Sequence, residues 1–462
     1  MSEHDIEDVD LLVVGGGKAG KSLAMDRAKA GWSVVMVERD KIGGTCINVA
    51  CIPTKSLVES ARTLLTARAA ARFGVAVDGE PTVDLDLLRA HKEGVVGGMV
   101  QAHAEMFPAS GMDFVLGTAR FVGERTVSIT TGDGATRHVR GRDVLVNTGT
   151  TPAWPDLPGI TEAGVWDTES ILHLERLPES LLVLGGGYVG CELASMFATF
   201  GSRVTLLQGG DQLLAREDAD VAADVAAHLT AQGVDVRLGS RAAAVRREPG
   251  GDVVVTLGDG TEVRGADLLI ATGRTPVTAD LDLPAAGVDV DDRGGVVVDD
   301  HLRTTAEHVW AAGDVAGSPQ FTHASWHDFR VIRANLTGAD TVTTGRLVPY
   351  VVFTTPELAR VGLSETEARA KGHRVRVARL DLAAIPRAKT RHDTTGSWKA
   401  VIDADTDLFL GVALLGHDSG EVMTAVQMAM LGGLRYQQVR DAVIAHPTMS
   451  EGLNLLLDTL DG

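Results

Sequence analysis

Val9-Asp10-Leu11-Leu12-Val13-Val14-Gly15-Gly16-Gly17-Lys18-Ala19-Gly20 decides how the rest of the chain is read. The apolar run at 9–14 has the length of a buried parallel strand. Three glycines follow at once, then an Ala- and Lys-rich helix to about residue 30, then a second strand at 33–37 that ends on Glu38. This is the strand, glycine turn, helix, strand and acid order of a dinucleotide site. Gly15 allows the tight turn, Gly17 admits a pyrophosphate, and Gly20 lets helix and strand pack closely. Glu38 can accept from ribose hydroxyls. The glycines alone say little; with the helix and the acid in place they point to dinucleotide binding.

The pattern recurs. Residues 181–184 form an apolar run, Gly185-Gly186-Gly187-Tyr188-Val189-Gly190 a turn, 192–200 a helix and 204–207 a strand ending at Gln208. Gln208 follows Gly190 at the distance at which Glu38 follows Gly20. The second repeat therefore has a neutral amide where the first has an acid. An amide neither requires NAD nor repels the 2'-phosphate of NADP. Arg216 could approach that phosphate or stand as a solvated surface arginine. Two such folds in one chain imply two dinucleotides, most economically FAD with NADPH or NADH. Cys191, beside Gly190, reads as a small packing residue.

Two of the three cysteines lie in Gly43-Gly44-Thr45-Cys46-Ile47-Asn48-Val49-Ala50-Cys51-Ile52-Pro53-Thr54-Lys55. Residues 56–71 read as a helix with both cysteines near its N-terminal end, where free amides and the helix dipole favour a thiolate. Five residues apart on a regular helix is too far for easy bridging, so a disulfide would distort the first turn. Lys55 falls on the face of Cys51. Zinc is a poor reading, because no second ligand pair follows. An inert pair of core cysteines is the bland alternative.

This stretch resembles the redox-active disulfide of the flavin-dependent pyridine nucleotide–disulfide oxidoreductases, the family of dihydrolipoamide dehydrogenase, glutathione reductase and mercuric reductase. The resemblance implies that Cys51 is the flavin-side thiol, in charge-transfer contact with oxidised FAD, and Cys46 the interchange thiol. Ala50 stands where the family has Gly. On the same resemblance Gly44, Thr45 and Lys55 contact FAD, as does Gly149 at the end of strand 144–148. Asp314, in Gly313-Asp314-Val315, binds the ribityl chain, and Ala324 lies in a helix whose first turn approaches the flavin ring. Gly273, in Thr272-Gly273-Arg274, marks the crossover out of the nicotinamide domain. Glu192 matches the glutamate that pairs with Lys55 beside flavin and nicotinamide; read alone, it is an acid near a helix start. His446-Pro447-Thr448-Met449-Ser450-Glu451 resembles the family's C-terminal base motif. That makes His446 the acid–base partner of Cys46 in the other subunit, Glu451 its orienting carboxylate and Pro447 cis. Without the resemblance, a His–Glu pair at this spacing is an ordinary structural contact.

The expected fold is α/β: two Rossmann-like domains for FAD and NAD(P)H and a C-terminal α+β dimerisation domain. The boundaries read as 1–150 for the first part of the FAD domain, 151–275 for the NAD(P)H domain, 276–345 for the rest of the FAD domain, and 346–462 for dimerisation. Within them, 82–103 reads as a helix, and 115–121 and 126–131 as antiparallel strands. A formal charge of −19 argues against nucleic acid or an anionic membrane as partner. No window is apolar enough to span a bilayer, and the acidic start is unlike a signal peptide. A cytoplasmic homodimer is expected, with a small-molecule substrate.

Within the family, a mercuric reductase usually carries a second cysteine pair near its C-terminus, and this chain has no cysteine after Cys191. Dihydrolipoamide dehydrogenase usually has an acid where Gln208 stands. Gly17-Lys18-Ala19-Gly20-Lys21, Phe321-Thr322 with Asp328-Phe329-Arg330, Ile385-Pro386-Arg387-Ala388 and the segment from His446 to Asn454 resemble the RclA group of reactive chlorine resistance flavoproteins. That group implies an oxidative-stress role: NAD(P)H-driven reduction of hypothiocyanous acid, with copper(II) reduction also attributed to it. The alternatives are dihydrolipoamide dehydrogenase, a mercuric reductase-like enzyme lacking the C-terminal pair, and a non-enzymatic flavin-binding protein. No dedicated metal site is read; His323, His327 and Asp328 suit surface or structural roles better.

Overall fold

The computed structural model describes residues 6–460. The chain divides into two compact units. One joins the described residues up to Ser56 with Arg89–Ala153 and Arg274–Arg346; the other joins Leu57–Leu88, Trp154–Gly273 and the described residues from Leu347 onward.

The first unit is built on five parallel strands, in the order Asp113–Gly123, Val34–Glu38, Ile6–Val14, Thr136–Val146 and Val309–Ala311. Thr126–Thr131 runs antiparallel between the long outer portions of Asp113–Gly123 and Thr136–Val146. Along the central strand, Leu11 and Val13 face one way, against Leu23, Phe107 and Ile332. Leu12 and Val14 face the other, against Val35, Val144 and Ile129. Both faces are dry, so this strand reads as a continuous apolar run rather than an alternating one. Strand order reverses beside Ile6–Val14, which opens a crevice at the carboxyl ends of that strand and Thr136–Val146. In such sheets ligands bind at this crevice.

The strand expected at 144–148 is the end of the longer Thr136–Val146. Its first half was hidden by charge. Arg137, Arg140 and Arg142 pair with Glu7, Asp8 and Asp10 of the neighbouring strand, with Asp8 in register with Arg140. Ion pairs this exposed contribute little net stability; their opposite signs favour this register over a slipped one. The helix expected at 82–103 is Leu85–Ala109. It starts where it does because Asp84 Oδ1 accepts the amides of Asp86 and Leu87, both at 3.0 Å.

The second unit repeats the parallel arrangement, in the order Asp235–Arg237, Arg203–Leu207, Ser180–Leu184, Asp267–Ile270 and Trp166–Asp167. A three-stranded antiparallel sheet, Ala242–Arg247, Val253–Leu257 and Glu262–Gly265, lies between two of these strands in sequence. The sequence reading did not separate it from the surrounding chain. A five-stranded antiparallel sheet follows, in the order Tyr350–Val352, Glu357–Gly362, Phe409–Gly416, Ser397–Asp403 and Val375–Asp381. Helices Ser419–Leu431 and Gly452–Asp458 bury Val422, Val426, Leu453 and Leu456 in its core around Trp398.

Within this unit Lys399 is 5% exposed and its ammonium meets Asp218 at 2.9 Å, Asp220 at 3.2 Å and Glu365 at 2.9 Å. Burial works against ionisation of Asp218. Hydrogen bonds from Thr366, Lys399 and Glu365 outweigh it and hold the carboxyl well below the usual range. Its folded value lies below its unfolded one. The stabilisation it gives is complete above the unfolded carboxylate range and is lost as pH falls through the folded value. Lys399→Met strands these carboxylates together. It is expected to destabilise the protein by roughly 3 kcal/mol, seen as a lower urea midpoint; an unmoved midpoint would show that water already satisfies the cluster.

Candidate active site

The glycine turn of the first unit is fixed by hydrogen bonds as well as by shape. Gly15 has φ of 101°, and a Cβ there would stand 2.5 Å from the Asn147 carbonyl oxygen. A Cβ on Gly20 would stand 2.4 Å from the Gly15 carbonyl, the close helix–strand approach expected of it. A Cβ on Gly17 would meet Asn147 Oδ1 at 2.4 Å, so packing requires this glycine independently of any pyrophosphate. Glu38 Oε2 accepts the Gly16 amide at 2.8 Å. Asn147 ties three segments together: its Oδ1 accepts from the Gly20 amide at 2.9 Å and its Nδ2 donates to the Ala312 carbonyl at 2.6 Å. Sequence reasoning missed Asn147; a polar residue ending an apolar strand at the crevice was its only signal.

Gly149 has φ of 68° and open space where a Cβ would be. Asp314, beyond the short strand Val309–Ala311, accepts a hydrogen bond from Thr150 Oγ1 at 2.8 Å. Burial pushes its carboxyl up, while Thr150 and the charge of Arg274 pull it down. Arg274 in turn donates to the Thr150 hydroxyl and carbonyl at 2.8 and 2.7 Å. Ala324 is buried in the helix Thr322–Asn335. Asp328 of that helix is fully buried and accepts from the Gly313 amide, the Ser318 hydroxyl and Arg346. That engagement gives Asp328 a structural role. Among the described residues no group of three His, Cys, Asp or Glu side chains is placed to hold a metal ion.

The two cysteines do not share one helix start, contrary to the sequence expectation. Cys46 lies in a short separate helix, Gly44–Asn48, and Cys51 begins the long helix Cys51–Arg68. Val49, at φ of −140°, breaks the two apart. Gly43 and Gly44 are both left-handed, at φ of 100° and 72°, a turn that side chains disfavour. Asn48 Nδ2 caps it by donating to the carbonyls of Ile42 and Gly44. The break removes the geometric obstacle of a regular helix and brings the two thiols into mutual hydrogen bonding. That bond, then burial, pushes the Cys46 thiol up; the Thr322 hydroxyl and the charge of Lys21 pull the other way. Thr322 Oγ1 also lies 3.4 Å from Cys51 Sγ. Thr45 is exposed and Lys55 half-buried. Cys191 is fully buried, and its thiol donates to the Gly186 carbonyl at 3.6 Å, the packing role expected.

The second unit's turn repeats the main contacts of the first. Gly185 has φ of 115°, and a Cβ on Gly190 would stand 1.9 Å from the Gly185 carbonyl. Gln208 Oε1 accepts the Gly186 amide at 2.9 Å, the counterpart of Glu38 and Gly16. Gly187 differs: a Cβ there would meet nothing within 4 Å. No side chain caps the helix Tyr188–Phe200 that it precedes, and no acid lies in the first turn. An open cradle at an uncapped helix N-terminus fits a phosphate-bearing dinucleotide. Gly273, at φ of 131°, is equally open. Glu192 is 3% exposed and accepts the Phe353 amide at 2.8 Å.

His446 and Glu451 form the expected pair. His446 Nδ1 lies 2.7 Å from Glu451 Oε2, with the His446 side chain 69% exposed and that of Glu451 12%. The His446–Pro447 peptide is cis. No helix is long and apolar enough to cross a membrane, among the described residues.

Comparison with known proteins supports one family along the chain. Residues 9–328 match the model for pyridine nucleotide-disulphide oxidoreductases and residues 348–456 match its dimerisation domain. Escherichia coli RclA, a probable pyridine nucleotide-disulfide oxidoreductase, is 40% identical over 96% of this chain and 97% of its own. A mercuric reductase of Streptomyces lividans is 36% identical, over 97% of this chain and 96% of its own. A dihydrolipoyl dehydrogenase of Haloferax volcanii is 33% identical, over 96% and 94%. The solved Cu(II) complex of the HOCl-induced flavoprotein disulfide reductase RclA from Escherichia coli matches with a TM-score of 0.90 at 39% identity, covering 98% of this chain and 99% of that one.

Proposed function

From a chain that belongs to the FAD-dependent pyridine nucleotide–disulphide oxidoreductases, we propose an enzyme that reduces a small oxidant, hypothiocyanous acid, at the Cys46–Cys51 pair. The observation that supports the reading is the placing of Cys46 and Cys51 on two helices separated by the break at Val49, with Thr322 Oγ1 3.4 Å from Cys51 Sγ. FAD belongs in the fold of 1–150 and 276–345, NADPH or NADH in that of 151–275, and 346–462 pairs two subunits. Lys55 and Glu192 are assigned to the flavin–nicotinamide junction, and His446 with Glu451 to the partner's Cys46. The setting is the cytoplasm, where NAD(P)H and reduced thiols are maintained.

Bound FAD supplies two electrons taken from NAD(P)H. With them the Cys46–Cys51 bond opens and both sulfurs become available. Cys46 thiolate attacks the sulfur of hypothiocyanous acid; hydroxide leaves and takes a proton from His446 to become water. His446 then takes the proton of the Cys51 thiol, the Cys51 thiolate attacks Cys46, thiocyanate departs, and the disulfide is restored. No long channel is needed. Mercury calls for a relay of soft ligands, and the chain has no cysteine beyond Cys191. Copper(II), held in the RclA complex, is a second acceptor to test.

A steady-state panel with NADPH and NADH tests the reading against hypothiocyanous acid, lipoamide in both directions, oxidised glutathione, mercury(II) with excess thiol, and copper(II). Hypothiocyanous acid is expected to give the highest kcat/KM. Both coenzymes are expected to serve, NADPH slightly better, because Gln208 is neutral. Rapid lipoamide turnover with negligible hypothiocyanous acid reduction would make the protein a dihydrolipoamide dehydrogenase. A chain that holds FAD but reduces nothing would be a binding protein.

A further inference from the structure

We propose that Lys21 is a positioning residue for the redox-active pair: it clamps the turn that presents Cys46 and places a positive charge near that sulfur, favouring the reduced, thiolate-bearing state. The inference rests on Cys46 and Cys51 being the redox centre.

Lys21 lies in the first helix after the glycine turn, Lys18–Lys29, and is only 4% exposed. Its ammonium donates to the Gly43 carbonyl at 2.9 Å. Gly43 is the N-cap of the short helix that carries Cys46, and its left-handed backbone is held at that carbonyl. No carboxylate pairs with Lys21 among the described residues. The titratable groups that face it are Lys18 on its own helix, Cys46 on the short helix and His103 on the helix Leu85–Ala109; none is an acid of the carboxylate kind. Burial, then Lys18, lowers Lys21 to about 8, and Cys46 pulls it back up.

A buried cation without a counter-charge is costly, and a methionine would fill similar space. Such a cation is favourable when an anion arises beside it. The reaction makes one there. On gaining two electrons and one proton, the Cys46–Cys51 bond opens to one thiol and one thiolate. In the oxidised enzyme neither sulfur carries charge. The ammonium therefore stabilises the reduced form selectively, and it opposes the contacts that keep the Cys46 proton in place.

The test uses holoenzyme and three variants, K21M, K21Q and K21R, equilibrated anaerobically in glutathione redox buffers and read by mass after thiol alkylation. K21M is expected to shift the dithiol–disulfide equilibrium about tenfold towards disulfide, about 30 mV for this couple. Iodoacetamide should also alkylate its reduced Cys46 several-fold more slowly at pH 7, with K21R close to wild type on both measures. K21Q gives the same charge-loss readout should K21M fail to fold. Equilibrium and alkylation rate unchanged in K21M or K21Q overturn the proposal. So does a charge-loss variant that only weakens FAD retention, which would make Lys21 a counter-ion for the cofactor's phosphates. A wild-type enzyme that forms no Cys46–Cys51 disulfide would instead defeat the redox reading itself.

Discussion

Cys46→Ser is expected to abolish turnover of every oxidant while NADPH still reduces the bound flavin. The serine hydroxyl stays protonated at neutral pH and cannot close a disulfide, so neither attack on substrate nor resolution is available. The expected loss in kcat is on the order of 10³-fold or more, the scale set by removing a nucleophile that works with a partner group. Cys51→Ser should lose turnover equally, but with a different spectrum. If Cys51 is the flavin-side thiol, long-wavelength charge-transfer absorbance is absent from Cys51→Ser, whereas Cys46→Ser shows it while its flavin is oxidised, because Cys51 there has no disulfide partner. The opposite result would exchange the two roles. The structure gives a reason to expect asymmetry: Cys51 opens a long helix, whereas Cys46 sits on a separate short one.

His446→Ala carries the second large effect, a fall in kcat of roughly 10²–10⁴-fold, the range for loss of a positioned acid–base group. Glu451→Gln should cost less, because Gln keeps a hydrogen bond to the ring but not the charge. The geometry behind this is an exposed imidazole held by a nearly buried carboxylate at 2.7 Å. Such a ring is fixed on one nitrogen and presents the other outward. If it serves the partner's Cys46, each subunit lacks half a site, and variants can complement one another. Randomised dimers of Cys46→Ser and His446→Ala subunits are then expected to recover about a quarter of wild-type activity, since half are hybrids with one intact site each. No recovery in verified hybrids would place both residues in one subunit's site. Full activity in a monomer would remove the need for the dimer altogether.

The fold was legible where its requirements are local. A strand buried on both faces must be apolar throughout, and a turn at φ near 100° followed by close helix packing excludes side chains. Residues 9–20 and 181–190 therefore declare themselves without reference to the rest of the chain. The candidate site was read from its residue types: two cysteines, a lysine and a histidine with its carboxylate. Resemblance to a family supplied their roles. Where charge covered a strand, the reading failed. Residues 136–143 are strand because they ladder with residues 6–9 on one side and 126–130 on the other, with their arginines meeting acids of residues 7–10, and that pairing exists only once the crossover has placed the two strands side by side. The cysteine turn failed for a related reason. Composition at 56–71 favours a helix, but the break at Val49 is set by two left-handed glycines, the Asn48 cap and the Lys21 clamp. Asn147 on Gly20 and Thr322 against Cys51 join residues 127 and 271 positions apart. A contact of that span leaves no period or motif in the sequence. Only the packing of the folded chain determines which hydroxyl or ammonium faces a given sulfur.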